Sequence, residues 1–355
     1  MSLKEFGVHI RTTRHEVPKL LEYAVKIESW GFDHLKVGDH SLTLNSRVEY
    51  PNAHTLLSAM GALTKRIKLS TSVTDPYRRH PVEIAQGIAT LDRLTKGRAV
   101  LGIGAGEVMN LEPFGIEWIR PYTTLKEAIE VIKLLWLSRP GSPVSFGGKS
   151  FRLENAYLQL RCHQQPHPPI YVGALGPRTR ELSGEKADGW IPVASETPKV
   201  LKVHLEDVKR GISKRGGRLE DFCVSATIYT DVGDFEEVYK AVEPTARGVL
   251  AMSHEVLQML GHRVEPLEGL TVQRIRVDDA EAMKRLGERA RAIPRKLVER
   301  VVAIGEPDQI ISRLEEYIEV GVNSLIICSL SKDDDRLYQI YSEKIMPYLR
   351  ETYGP

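Results

Sequence analysis

The fold class that this 355-residue sequence predicts is α/β, a closed (β/α)8 or TIM barrel with insertions. Three observations point to it. Short runs rich in β-branched and apolar residues recur eight times, alternating with about eight longer stretches of helical periodicity. The runs are nearly continuous in their apolar character, as in Leu325-Ile326-Ile327, which suits strands covered by helices outside and packed layers inside. The length also suits one barrel that carries insertions, so residues 1–355 read as a single domain.

The predicted strands span residues 6–10, 32–38, 67–73, 99–103, 170–174, 190–194, 223–229 and 324–329. Between the first two, Leu20, Leu21, Ala24, Val25 and Ile27 share one broad helical face, and Gly31 ends the helix. A helix over 81–94 opens with Pro81 in its first turn and carries Val82, Ile84, Ala85, Ile88, Ala89 and Leu91. Residues 125–137 and 309–320 are amphipathic in the same way. Two stretches exceed the repeating unit. Residues 138–169, with Gly147-Gly148 and a Pro/His/Gln cluster, read as a hairpin or long loop after the fourth helix. Residues 236–293 add helices after the seventh strand. Active sites of such barrels lie at the C-terminal strand ends, so an insertion there is a candidate substrate lid.

Composition narrows the function. Hydrophobic residues at 42% and charged residues at 27% rule out a wholly disordered chain. No apolar run approaches the roughly 18–20 residues of a membrane-spanning helix, and Met1-Ser2-Leu3-Lys4-Glu5 lacks a secretory core, which makes the cytoplasm the expected address. With 49 basic against 47 acidic side chains, nothing calls for nucleic acid or an anionic membrane as partner. A small-molecule substrate is the expected partner. Cys162, Cys223 and Cys328 are scattered without a CxxC pair, which argues against a disulfide framework or a zinc cage.

Some motifs fail on inspection. Gly102-Ile103-Gly104-Ala105-Gly106-Glu107 puts Glu where a dinucleotide fingerprint needs a small residue. Gly148-Lys149-Ser150 resembles a P-loop ending, but Pro143 stands at the upstream glycine position. Cys162-His163 with His167 reads as an extended lead into the fifth strand, and no metal site is expected there.

The motifs that remain sit at strand ends. The second strand delivers Gly38-Asp39-His40, a carboxylate beside an imidazole that titrates near neutrality, or else a loop-capping Asp beside an exposed His. The third leads into Ser72-Val73-Thr74-Asp75-Pro76-Tyr77-Arg78-Arg79-His80-Pro81, either a basic binding loop or a solvated one. The fourth ends in Gly104-Ala105-Gly106-Glu107, whose glycines suit a close ligand or a tight turn. The fifth ends in Gly173-Ala174-Leu175-Gly176-Pro177-Arg178-Thr179. No obvious side chain caps the helix that starts there, so its free N–H groups favour a phosphate over an ordinary helix start.

Taken together, these segments resemble the bacterial luciferase-like superfamily, in its branch that uses the deazaflavin coenzyme F420. The resemblance extends through Gly31-Phe32-Asp33, Ile88-Ala89-Thr90-Leu91-Asp92, Gly97-Arg98, Phe114-Gly115-Ile116-Glu117-Trp118, Ala187-Asp188-Gly189 and Gly305-Glu306-Pro307-Asp308. It covers residues 1–196 and 294–330 well and 236–293 poorly. Methylenetetrahydromethanopterin reductase is the branch most similar around residues 74–118, although that branch has an acid in its first strand where this chain has His9. Asp39-His40 and Gly106-Glu107-Val108-Met109-Asn110 are shared with F420-dependent sugar-phosphate and secondary-alcohol dehydrogenases, but Leu44 stands where the sugar-phosphate enzymes have Trp.

What the resemblance implies is an F420-dependent oxidoreductase, commonly dimeric, that transfers a hydride between F420 and an organic substrate. The alternatives are an FMN-dependent monooxygenase, an F420-dependent alcohol or sugar-phosphate dehydrogenase, and a non-catalytic cofactor-binding relative. Carried over, Asp39 would bond the deazaflavin, and Ser72-Val73, a non-prolyl cis peptide in the family, would back the ring together with Thr74. Gly106, Glu107, Met109 and Asn110 would line the cofactor, and Ala174, Leu175, Gly176 and Pro177 would hold its phosphate. His40 and Glu107 are the expected proton-handling groups, with His9 read as a neutral core histidine or else as a further catalytic group.

Overall fold

All eight predicted strands form, and they close into one parallel barrel. The computed structural model describes residues 2–45, 48–264 and 271–354. In chain order the strands are β1 (Glu5–Ile10), β2 (His34–Val37), β3 (Lys68–Thr71), β4 (Ala99–Gly104), β5 (Val144–Gly147), β6 (Arg152–Ala156), β7 (Ile170–Gly173), β8 (Gly189–Ile191), β9 (Cys223–Val232), β10 (Val302–Gly305) and β11 (Ser324–Ser329). The ring runs β1-β2-β3-β4-β7-β8-β9-β11 and returns to β1, with the β8–β9 pairing closing it. Strand β10 was not expected. It exists because β9 runs ten residues, past the ring, and its upper half offers an edge on which Val302 pairs with Tyr229 and Gly305 with Val232.

Side chains alternate along each strand. Phe6, Val8, Leu35, Val37, Ile170 and Ile327 join the main core with the surrounding helices. The intervening positions face the barrel interior, where a polar layer fills the lower part. Glu5 lies at its centre, accepting from Ser324 Oγ (2.7 Å) and Lys68 Nζ (3.0 Å), with His34 Nδ1 at 3.1 Å. His34 Nε2 meets Ser70 Oγ at 2.8 Å, and Lys36 Nζ donates to Ser225 Oγ at 2.7 Å. Burial opposes the charge on Glu5, but His34 and Lys68 outweigh it and hold the carboxyl well below its ordinary range. Burial pulls His34 below its ordinary range against the opposing pull of Glu5, and burial lowers the Lys36 ammonium to about 8.

Residues 138–169 do contain the expected hairpin, formed by β5 and β6. Glu127 ties its turn down, accepting from the N–H groups of Lys149, Ser150 and Phe151. The insertion after β9 is helical as expected, with helices Phe235–Ala251, His254–Met259 and Ala280–Ala292. It packs in a second hydrophobic cluster built on Val238, Val242, Leu250, Val256 and Leu286, which it shares with Val302 and Ile304 of β10 and with Leu330. No helix among the described residues is long and apolar enough to cross a membrane.

Candidate active site

Above the polar layer, a cavity of about 350 Å3 occupies the C-terminal end of the barrel. One wall is built from β3, β4 and β7 and carries Ser72, Val73, Gly104, Ala105, Gly106, Gly173 and Leu175. The Ser72–Val73 peptide is cis. The Val73 side chain lies against the strand glycines so closely that a Cβ on Gly104 would come within 2.7 Å of it, and one on Gly173 within 3.1 Å. Gly106 has φ +79°, in the left-handed region that glycine enters without strain, and turns the chain towards Glu107. The facing wall, from β9, β11 and β1, is polar and carries Thr227, Tyr229, Cys328, His9 and Arg11. The helical insertion contributes Thr245, Val272 and Gln273. Of the two insertions it alone lines the cavity, and the 138–169 hairpin packs against the outside.

His40 and Glu107, expected as the proton-handling pair, come together. His40 Nδ1 stands 3.5 Å from Glu107 Oε2, and both side chains are partly open to the cavity. Asn110 fixes them. Its Oδ1 accepts from the N–H groups of Ser41 (2.7 Å) and Leu42 (2.8 Å), which directs Nδ2 to His40 Nδ1 at 2.9 Å and to Glu107 Oε2 at 3.2 Å. An amide N–H donating to Nδ1 requires a lone pair there, so neutral His40 carries its proton on Nε2. Tyr50 packs beside the imidazole, with ring centroids 5.4 Å apart.

Asp39 lines the cavity, but its oxygens are already engaged. Oδ2 accepts from Thr74 Oγ1 (2.7 Å), Arg79 Nη1 (2.5 Å) and Arg78 Nη2 (3.3 Å), and Oδ1 from Arg79 Nη2 (3.2 Å). Burial works against the charge, yet the two guanidiniums hold the carboxyl below its ordinary range. Asp39 therefore anchors the Thr74–Arg79 loop, and Arg78 bonds Asp75 as well (2.6 Å). His9 lines the cavity rather than being sealed in the core. Burial, with Lys36 and His40 nearby, lowers its pKa to about 4, so it is neutral as expected.

The expected phosphate turn precedes helix Pro177–Lys186. Gly176 is its N-cap, no side chain caps it, and a Cβ on Gly176 would meet only Thr179 Oγ1, at 3.9 Å. Leu175 reaches the cavity. Ala174 is buried and its carbonyl accepts from Trp190 Nε1 (3.0 Å). Arg180, in the first turns of this helix, bonds Asp207 (2.7 Å) and pairs with Glu255 (3.4 Å) of the insertion, which joins that insertion to the turn. Met109 is a correction. It was expected to line the cofactor, but it packs into the hydrophobic cluster of the insertion, because the short helical turn Val108–Asn110 points Asn110 inward and Met109 away.

Arg11, Thr12, Thr13, Tyr50, Thr227, Tyr229 and Cys328 line the cavity without having been singled out. A signal for several of them was present. In or just beyond strands read as continuously apolar, His9 and Arg11, and likewise Thr227 and Tyr229, are polar at a spacing of two. Thr245 and Gln273 had no such signal, since nothing local tells which helical turn or which loop of an insertion overhangs a barrel.

Comparison with known proteins agrees with this architecture. The family described as luciferase-like monooxygenase matches residues 1–324. An F420-dependent glucose-6-phosphate dehydrogenase of Microbacterium testaceum is 30% identical, over 98% of each chain. The 5,10-methylenetetrahydromethanopterin reductase of Archaeoglobus fulgidus is also 30% identical, over 93% of this chain and 96% of its own. Among solved structures, an F420-dependent secondary alcohol dehydrogenase in complex with an F420-acetone adduct superposes with a TM-score of 0.84 at 24% identity, covering 99% of this chain and all of its own. The F420-dependent tetrahydromethanopterin reductase of Methanopyrus kandleri has the same fold, with a TM-score of 0.82 at 23% identity, over 98% of this chain and all of its own. The chain belongs to the luciferase-like monooxygenase family, and within it is similar to F420-dependent oxidoreductases.

Proposed function

We propose that this protein is an F420-dependent oxidoreductase that passes a hydride between the deazaflavin and a small organic substrate. The observation that carries this reading is the opposition of two unlike walls across one cavity: a flat glycine wall around Val73, and a polar wall, with the His40–Glu107 pair at hand. The residues present fit the cofactor. Gly104 and Gly173 leave room for the Val73 side chain, which with the Ser72–Val73 backbone forms the surface on which a planar ring would lie, and the uncapped helix start at Gly176 leaves open space for a phosphate. Ser72, Val73, Thr74 and Gly106 would hold the ring, and Leu175, Gly176 and Pro177 the phosphate. When bound, the deazaflavin supplies the hydride chemistry.

The chain supplies placement and a proton. The glycine wall fixes one reacting partner while the polar wall confines the other, which converts an encounter in solution into a held geometry. His40 presents its Nε2 proton, clear of the Asn110 contact, to a substrate oxygen. It gives that proton up as a second is taken on Nδ1, which faces Glu107 Oε2 at 3.5 Å, and the reverse reaction runs the same two transfers backwards. Glu107 stabilises the imidazolium that forms when His40 takes up a second proton. The pterin reductase and sugar-phosphate dehydrogenase relatives are equally similar, so the substrate is kept as a small oxidisable or reducible organic compound.

The test is cofactor identity. Titration of the purified chain with F420, followed by its fluorescence, should show saturable binding, and extracted ligand should give a deazaflavin spectrum. Bound FMN with oxygen-dependent turnover would overturn the reading in favour of a monooxygenase. We also propose a homodimer, on the family resemblance. A monomeric mass across micromolar concentrations would exclude it.

A further inference from the structure

Of the two arginines that line the cavity among the described residues, Arg78 is ion-paired and Arg11 is not. Arg78 bonds Asp75 and Asp39, Arg79 bonds Asp39, and Arg14, one turn beyond Arg11, bonds Asp334 at 2.9 Å. Arg11 follows the last residue of β1, is half-buried and lines the cavity, yet its guanidinium makes no ion pair among the described residues. The hydrogen bond it does make runs from Nη1 to the Ser329 carbonyl at 3.3 Å. A guanidinium carries five donors in a planar fork, so most of that capacity is left over. A half-buried cation without a counter-ion is costly unless an anion arrives to neutralise it.

The surroundings agree. Arg11, Tyr229 and Cys328 line the same polar wall, and Arg11 draws both the Tyr229 hydroxyl and the Cys328 thiol down against the effect of burial. The carboxylates that line the cavity are already engaged: Asp39 and Asp75 by arginines, and Glu107 by His40 and Asn110. None is left to neutralise Arg11. The wall also belongs to β1, β11 and β9, and so lies across the cavity from the glycine surface assigned to the ring.

Resting on the F420 reading above, we propose that Arg11, on the wall that also carries Tyr229, binds an oxyanion carried by the substrate, so that the reacting compound is an anionic carbonyl or alcohol with a carboxylate or phosphate set away from the reacting carbon. Arg11 is then a specificity residue and takes no part in the proton transfer at His40.

Calorimetric titration of the full chain, with and without F420, tests this using two matched pairs: 4-oxopentanoate against 2-pentanone, and glucose 6-phosphate against glucose. The expected result is a preference of at least tenfold for the anionic member of one pair. Which pair shows it tells carboxylate from phosphate. R11Q should abolish the preference, R11K should restore part of it, and F420 affinity should be unchanged in both variants. Equal binding of charged and neutral members, or no binding of any probe at millimolar concentration, overturns the proposal. So does an R11Q variant that keeps the preference, or one that loses F420 instead. A wild-type chain that fails to bind F420 but still selects the anion would overturn the F420 reading and leave the oxyanion site standing.

Discussion

The lower and upper layers of the barrel interior are built from the same strands, a few residues apart, and they treat polar groups in opposite ways. In the lower layer Glu5, His34, Lys36, Ser70, Ser225 and Ser324 satisfy one another within 3.1 Å. In the upper layer Arg11 has spare donors, His40 keeps Nε2 free of its clamp, and the helix at Gly176 starts without a side-chain cap. A buried network that closes on itself rigidifies the barrel, because removing any member strands a partner in a low dielectric. Groups left open at the mouth are the ones a ligand can complete.

The largest expected effect lies in the lower layer. Glu5→Gln should cost about 1–3 kcal/mol of unfolding free energy, the usual penalty for leaving the buried His34 and Ser324 partners of the carboxylate unsatisfied. Arg11→Gln, one layer up on the same strand, should stay within about 1 kcal/mol. Urea unfolding of both variants checks this, and equal losses would erase the distinction between the layers. Next, His40→Ala or Glu107→Gln should lower turnover by at least about 10²-fold with cofactor still bound and the fold intact. Wild-type turnover in both would remove their roles and direct attention to His9 and the loop from Tyr77 to His80.

A smaller effect, about tenfold, is expected on F420 affinity for Gly176→Val, because a branched side chain fills the space before the helix start. Unchanged affinity in the folded variant would move the phosphate elsewhere. The smallest effect on turnover, under about tenfold, is expected for His9→Gln. Its signature is in pH instead. The folded His9 titrates at about 4 against an ordinary 6.5, so as pH falls through that window the unfolded chain takes the proton first and the wild type loses stability. His9→Gln should lose less over the same range. Superimposable stability curves between pH 4 and 6.5 would show that His9 is not held neutral.

Much of the fold was legible because the alternation of strands and helices is a local, repeating signal. The eight ring strands and both insertions follow from it, whereas β10 depends on how far β9 overruns the ring, which no local pattern encodes. The site was legible in part. Asp39, His40, Glu107 and Asn110 stand out as polar groups at strand ends, but their division of labour depends on distances. Asp39 turns inward to hold Arg78 and Arg79, and Asn110 turns back to clamp the imidazole. The polar side chains hidden in or just beyond β1 and β9 were written in the sequence at a spacing of two, and were masked by the apolar residues between them.

The separate hydrophobic cluster of the insertion has a consequence for how such proteins change over generations. Thr245 and Gln273 overhang the cavity from a segment that packs in a cluster distinct from the main core, shared with β10 and tied to the barrel by joints such as Arg180–Glu255. Mutations there can drift and be selected without repacking the core that encloses the ring of strands. Ancestry can then keep His40 and Glu107 on an inherited floor while the ceiling is rewritten from one lineage to the next.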